Sequence, residues 1–227
     1  MPRNRIDKVK EMNEYYGKRA SLHDAFMGYT DNETMERLLA PIIGHIEQFI
    51  EGKDVLEIAC GTGNWTQVLA KRARSVLAID VNATVLEIAR TKSYVNDRVT
   101  FRIADAYALE KVEGSFNAAF AGDWWSHIPK SRIPQFLKTL HSKLSPGSPV
   151  VFVDMMRREE LDRMFAYYDE EGNIIHERSL PDGRVFHVVK NHPTEDELRR
   201  YLKDTASNIQ YHEDHGLLRW VLSYTVD

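Results

Sequence analysis

The sequence predicts an α/β fold: a doubly wound, mostly parallel sheet with an antiparallel edge, an N-terminal helical lid and an inserted β-hairpin. Three observations carry this. Short apolar runs alternate with stretches of helical period between about residues 54 and 155, the first run breaks into glycines, and a turn-bearing pair of segments later interrupts the pattern. Continuous apolar strands belong to a parallel sheet covered by helices on both faces. Right-handed crossovers then place a ligand outside the carboxyl ends of the strands.

Taken in order, two helices are expected at about Asp7 to Ala20 and Asn32 to Ile50. The second carries Met35, Leu38, Leu39, Ile42, Ile43, Ile46 and Phe49 at helical spacing. "DVLEIA" reads as strand, "NWTQVLAKRA" as helix, "SVLAID" as strand, "NATVLEIARTK" as helix and "VTFRIA" as strand. "FNAAFA" and "SPVVFVDM" are strands on either side of the helix "SRIPQFLKTLHSKL", with a turn at Ser145-Pro146-Gly147. "NIIHERSLPDGRVFHVVK" reads as a hairpin around Pro181-Asp182-Gly183. The helix "TEDELRRYLKD" follows, with Thr194 and Glu197 spaced as a capping box. Two antiparallel edge strands close the sequence.

The 227 residues suffice for one domain with a sizeable core, and 43% hydrophobic with 28% charged residues is a globular balance. A net charge of −4 leaves no electrostatic footprint for nucleic acid or an anionic membrane. The start "MPRNRIDKVKEMNEYY" lacks the apolar core of a signal peptide, and no run approaches a membrane span. A cytoplasmic protein is the expectation. The lone Cys60 excludes an internal disulfide and any multi-cysteine metal site, and without a paired histidine it reads as a small turn residue. No metal-ligand cluster is visible, so no metal is expected.

Gly61 and Gly63 end the first strand and open a helix. Without side chains they let backbone N–H groups approach a ligand, and the helix terminus adds partial positive charge. Thr66 stands where a third glycine of G-x-G-x-x-G belongs, so the turn alone is a weak sign of a dinucleotide. Asp80, about 20 residues on at the end of the second strand, suits a ribose, or else caps the next helix. Glu57 lies inside the first strand, where a pyrophosphate would be repelled.

"VLEIACGTGNW", "LAID", "IADAYAL" and "FNAAFAGDWWSHIP" together resemble the class I S-adenosylmethionine-dependent methyltransferases. The likeness covers roughly residues 50 to 155 and implies a Rossmann-like sheet. It departs from the family's E-x-G-x-G-x-G at Ala59 and Asn64. It implies S-adenosyl-L-methionine as cofactor, with Glu57, Ala59 and Gly61 at the cationic methionine end and Gly63 among the other cofactor-binding residues. Asp80 would take the ribose hydroxyls, Val81 the adenine face, and Asp105 the adenine amine beside Ala106. Gly122 and Asp123 would border the methionine moiety, while Trp124, Trp125 and His127 face the methyl group or its acceptor. One tryptophan is expected in the pocket and the other in packing. His127 is a site residue or a helix cap, and a weak candidate for a catalytic base. Tyr16 and Arg19 would close over the cofactor from the lid, and Trp65 either lines the site or packs. The domain then divides into a lid (1–50), a cofactor-binding core (51–155), a substrate-side hairpin (156–192) and a last helix with edge strands (193–227).

The hairpin carries the acceptor question. Pro-Asp-Gly suits a type I turn with a left-handed glycine, a three-residue loop. That register pairs Arg178 with Phe186 and His176 with Val188, and sets Arg178 and Lys190 on one face about 13 Å apart along the strands. They either bind an anion or are solvated edge charges. "YYGKRASLHD…GYTD", "DWWSHIP" and "RSLPDGRVFHVVK…ELRRYL" resemble, more narrowly, the phosphonate O-methyltransferases of the dehydrophos type. This likeness implies Tyr29, Arg178 and Lys190 as anion-binding residues and O-methylation of a small phosphonate or carboxylate. An NAD-dependent oxidoreductase and a non-catalytic S-adenosylmethionine-binding protein are the alternatives. A small-molecule acceptor is the expected partner of a monomer or homodimer. Nucleic acid is not expected, because neither a basic patch nor an Asn-Pro-Pro-aromatic tetrapeptide is present.

Overall fold

The computed structural model describes residues 8–29, 31–95 and 97–227. Its main sheet has seven strands: β1 (Asp54–Ile58), β2 (Ser75–Asp80), β3 (Val99–Ile103), β4 (Ala118–Gly122), β5 (Pro149–Met155), β9 (Ala206–Asp214) and β10 (Arg219–Val226). Their order is β3-β2-β1-β4-β5-β10-β9. β1 to β5 pair in parallel, and β10 runs antiparallel between β5 and β9. The chain reverses direction across the sheet between β1 and β4, and a crevice opens at their carboxyl ends.

Two apolar layers hold the sheet. Residues that alternate along β1 point to opposite faces: Val55 joins the cluster around α2 (Asn32–Ile50), and Leu56 joins the opposite one. The stripe Met35, Leu39, Ile42, Ile46 and Ile50 of α2 is buried against the sheet. On the other face α5 (Ile133–His141) presents Ile133, Phe136, Leu137 and Leu140 to Phe152 and Tyr224. No helix among the described residues is long and apolar enough to cross a membrane.

Several boundaries differ from the sequence reading. Asp7, the expected start of the first helix, lies outside the described residues. The described helix α1 runs Lys8–Phe26, six residues beyond Ala20. α3 is short (Asn64–Leu69), because the chain turns back at Lys71 and Arg72 into β2. The hairpin, β7 (Ile174–Ser179) with β8 (Val185–Val189), has the expected register: Arg178 faces Phe186 and His176 faces Val188. Gly183 adopts φ +85°, the left-handed conformation that the loop requires. Unforeseen were α6 (Glu159–Phe165) and β6 (Ala166–Tyr168), which makes the inserted sheet three-stranded. α7 (Glu195–Leu202) carries the expected capping box.

Candidate active site

A cavity lies above the carboxyl ends of β1, β2 and β4, roofed by α1 and closed on one side by the β7–β8 hairpin. α1 lends it Val9, Met12, Asn13, Tyr16, Arg19, His23 and Phe26, one stripe of a helix. Asn191 docks the hairpin. It donates to the Ile128 carbonyl at 2.9 Å and accepts from the Ile174 N–H at 2.9 Å, while its own N–H donates to the Ser126 carbonyl at 2.7 Å.

The glycine turn forms the floor. Ala59 has φ +53°, a left-handed conformation that costs a residue with a Cβ roughly 1–2 kcal/mol. Gly61 has φ +56° and nothing within 4 Å of where a Cβ would stand, so its backbone faces open space. Its N–H donates to Asp80 at 2.9 Å, and the other Asp80 oxygen accepts from the Asn82 N–H at 2.9 Å. Burial pushes the Asp80 carboxyl above its ordinary range, against the pull of these N–H groups. Val81, Asp105 and Ala106 complete this end of the wall.

Two expected residues lie off the wall. Gly63 serves packing instead: a Cβ there would meet the Tyr94 hydroxyl at 2.5 Å and the Ala89 Cβ at 3.0 Å. Glu57 is 1% exposed and does not line the cavity. It sits behind the turn, where Thr66 Oγ1 donates to it at 2.6 Å. Burial raises its carboxyl to about 8 despite that hydrogen bond, so it is largely protonated at neutral pH. A residue pointing behind the strand instead of beyond its end cannot be told from the sequence alone.

The loop after β4 forms the far wall. Trp124 lines the cavity, whereas Trp125 is 1% exposed and packs edge-on against Phe152 with ring centroids 5.0 Å apart. The indole of Trp65 lies directly on Gly122, where a Cβ would come within 2.3 Å of it, and its Nε1 donates to Asp123 at 3.3 Å. Asp123, at φ +56°, is also paired with Arg219 at 2.7 Å, and Arg219 donates to the Tyr29 hydroxyl at 3.2 Å. Tyr29 thus reaches the cavity with its oxygen already engaged. Arg219 was not foreseen, because nothing in an edge strand's alternation marks a buried arginine.

His127, Arg178 and Lys190 meet at the hairpin side. The Val189 carbonyl lies 2.7 Å from His127 Nδ1 and so accepts from it, leaving Nε2 to accept from the Tyr16 hydroxyl at 3.0 Å. Burial, then Lys190 and Arg178, hold this imidazole well below its ordinary range and neutral. Lys190 is not a free charge. Its ammonium donates to Ser126 Oγ at 2.8 Å and lies 3.3 Å from Asp154. Burial acts to raise the Asp154 carboxyl, but Lys190 and the Ser126 and Met155 N–H groups outweigh it and keep it ionised. Arg178 differs: it donates to the Tyr16 hydroxyl at 3.4 Å, and no carboxylate pairs with it among the described residues. Its guanidinium also lies 5.9 Å from the Tyr15 ring centroid.

The wall holds unsatisfied donors. Arg19 Nη2, Trp124 Nε1 and the Tyr107 hydroxyl are buried without a partner, and all three residues line the cavity. Buried polar groups are otherwise almost always paired, so these mark positions for a polar ligand. Cys60 also lines the cavity, and burial pushes its thiol well up, which leaves it unreactive. Asp24, outside the sequence-derived site, ties the lid to the glycine turn. It accepts from Thr62 Oγ1 at 2.5 Å and Asn64 Nδ2 at 2.8 Å, and pairs with Lys92 at 2.6 Å. Away from this cavity, the fold also brings Asp162, His176 and His192 together, a grouping of possible metal ligands that the sequence reading did not contain.

Residues 55–147 match a family model described as a methyltransferase domain. Two solved structures of DhpI superpose on the chain. The DhpI–SAH complex has a TM-score of 0.77 at 28% identity, covering 96% of this chain and 97% of that one. The DhpI–SAM–HEP complex has a TM-score of 0.76 at 28% identity, covering 99% and 100%. A demethylmenaquinone methyltransferase of Lactiplantibacillus plantarum is 30% identical over 112 residues, which are 47% of this chain and 46% of that protein. Methyltransferase GfsG of Streptomyces halstedii is 30% identical over 115 residues, 49% of this chain and 41% of that protein. The chain therefore spans less than half the length of these two curated relatives. Its likeness to DhpI, in contrast, includes the lid and the hairpin, and the methyltransferase domain matched at residues 55–147 resembles that of a protein solved with SAH and with SAM.

Proposed function

We propose that the protein transfers the methyl group of S-adenosylmethionine to an oxygen of a small anionic acceptor, a phosphonate or a carboxylate. The observation that carries this reading is the division of charge along the cavity. Asp80 and Asp105 stand at one end, and Arg178 and Lys190 stand at the other beside a neutral His127. A cationic nucleoside donor suits the first end and an anion suits the second.

The residues present fit the donor. Asp80 offers carboxylate oxygens for ribose hydroxyls, the half-exposed Val81 an apolar face for adenine, and Asp105 an acceptor for its amine. The unpartnered Arg19 Nη2 suits the methionine carboxylate as a charge-assisted hydrogen bond. The open backbone of Gly61 allows the nucleoside to approach the turn. Glu57 supports this end from behind as a buried carboxyl held by Thr66.

For the acceptor, the Arg178 fork matches two oxygens of a phosphonate or carboxylate. Lys190, with two of its three protons engaged, has one left for the same anion. The sulfonium supplies an activated methyl carbon and leaves as a neutral thioether. The chain's task is to align the acceptor oxygen and exclude water. An acceptor already ionised at neutral pH needs no base, which accords with a His127 whose lone pair is occupied by Tyr16. That DhpI was solved with SAM and HEP in one complex, and resembles this chain over the hairpin, supports the same reading.

The test is a panel of small phosphonates, carboxylates, amines and phenols incubated with methyl-labelled S-adenosylmethionine. Label in a methyl ester of a phosphonate or carboxylate is the expected product. Turnover confined to amines, phenols or carbon acceptors would overturn the acceptor class while leaving methyl transfer intact.

A further inference from the structure

Asp162 on α6, His176 on β7 and His192 just beyond β8 converge on one point although they are widely separated in sequence. One ligand atom from each lies within 4.8 Å of the others. His176 Nε2 is 2.9 Å, and His192 Nε2 4.0 Å, from the same oxygen, Asp162 Oδ1. A four-coordinate zinc with bonds of about 2.0–2.1 Å sets neighbouring ligand atoms roughly 3.3–3.5 Å apart. The two separations straddle that value. The three side chains are only 7%, 10% and 7% exposed.

A hydrogen-bonded pair explains His176 but not His192. At 4.0 Å the second imidazole is too far from Oδ1 to share a hydrogen bond, yet it is buried facing that oxygen. The other Asp162 oxygen is occupied by Arg157 Nε at 2.7 Å, which turns Oδ1 toward both imidazoles. An outer group that fixes a ligand in this way is a regular feature of metal sites. A surface pocket edged by Arg157, Glu159, Arg163 and Tyr168 reaches Asp162.

We infer that Asp162, His176 and His192 form a binding site for a divalent transition metal of the zinc class. Two imidazoles and one carboxylate select such an ion over magnesium or calcium, which prefer oxygen ligands. None of the three residues lines the large cavity, so the ion is structural and not part of the methyl-transfer chemistry. It clips α6 to the two ends of the hairpin. Arg178 lies two residues beyond His176, and Lys190 two residues before His192, so the clip stiffens the strands that carry the basic end of the cavity. This inference is independent of the methyl-transfer reading.

The experiment uses the full chain without an affinity tag, stripped with a chelator and dialysed, then titrated with Zn2+ by calorimetry and with Co2+ by visible absorption. The expected result is one equivalent bound, tetrahedral Co2+ bands, and a melting temperature that rises until one equivalent is present. His192→Ala should weaken binding at least tenfold, as expected for loss of a group that orients or forms the site. It should leave the far-ultraviolet circular dichroism and S-adenosylmethionine binding intact. His176→Gln provides the second variant. Absence of stoichiometric binding to the wild type, or equal binding by both folded variants, would overturn the assignment.

Discussion

Thr62 in the glycine turn donates its hydroxyl to Asp24 on the lid helix across 2.5 Å, and Lys92 holds the second oxygen of that carboxylate at 2.6 Å. Burial acts to raise the Asp24 carboxyl, but hydrogen bonds from His23, Lys92, Thr62 and Asn64 outweigh it and keep the group ionised. One side chain therefore joins α1, the glycine turn and the end of α4 (Ala83–Thr91).

Asp24→Asn removes the charge while keeping the shape. Because the carboxylate is partly exposed, the loss is moderated by solvent. S-adenosylmethionine should bind roughly tenfold more weakly, about 1.4 kcal/mol, by calorimetry. An unchanged dissociation constant would show that the latch does not shape the cofactor site.

Arg178→Ala should raise the KM for an anionic acceptor by ten- to a hundredfold, about 1.5–3 kcal/mol for a charged hydrogen bond, with the cofactor constant unaffected. Arg178→Lys should recover only part of this, since an ammonium lacks the fork. If the acceptor's KM did not move in either variant, the anion is bound elsewhere.

Glu57 makes a pH prediction of definite sign. Its ordinary value is 4.5 and its folded value about 8, so between these the folded protein holds more protons than the unfolded one. Stability from this group is complete below about 4.5 and is lost as pH rises through the window to about 8. Each unit of difference is worth about 1.4 kcal/mol. Glu57→Gln, which still accepts from Thr66, should flatten the fall in melting temperature between pH 5.5 and 8 relative to wild type. Parallel curves for the two proteins would disprove the assignment.

Backbone geometry makes two opposed predictions. Ala59→Gly relieves a left-handed Cβ and should stabilise by about 0.5–1 kcal/mol in denaturant unfolding, after the entropy cost of glycine. Gly63→Ala should destabilise by at least about 1 kcal/mol, since its Cβ would overlap the Tyr94 hydroxyl and its φ is +81°. Effects of the same sign from the two changes would contradict this division between a strained and a packed position.

The sheet was legible because each strand is a compact apolar run ended by a turn residue, as in "SVLAID" and "SPVVFVDM". The hairpin register was legible because Pro-Asp-Gly admits few loop lengths. The end of α1 was not: Leu22 and Phe26 are exposed, so no buried stripe extends the pattern beyond Ala20, and only the seat of Asp24 on the glycine turn shows why the helix continues. Most residues expected at the site share one cavity because they end parallel strands, and strand ends are visible in sequence. Glu57 misled because its position in the motif is fixed by the strand, while the direction of its side chain is fixed by Thr66. The ion pair of Lys190 with Asp154 was not legible either, since the two residues come from different elements. Arg219 and the Asp162–His176–His192 grouping carry no local spacing at all; only tertiary structure assembles them.

The lid helix is fastened along its whole length. Lys8 pairs with Asp169 at 2.5 Å and Glu11 accepts from His187 at 2.8 Å on the hairpin side. The Asn13 carbonyl accepts from Asn82 at 3.0 Å, and Asp24 seats on the glycine turn. A single rigid bar thus spans both compartments, and neither can be vented without lifting a helix that also covers its neighbour. The two ends of the cavity thus share one cover, and on this geometry a displacement of α1 that uncovers one end uncovers the other.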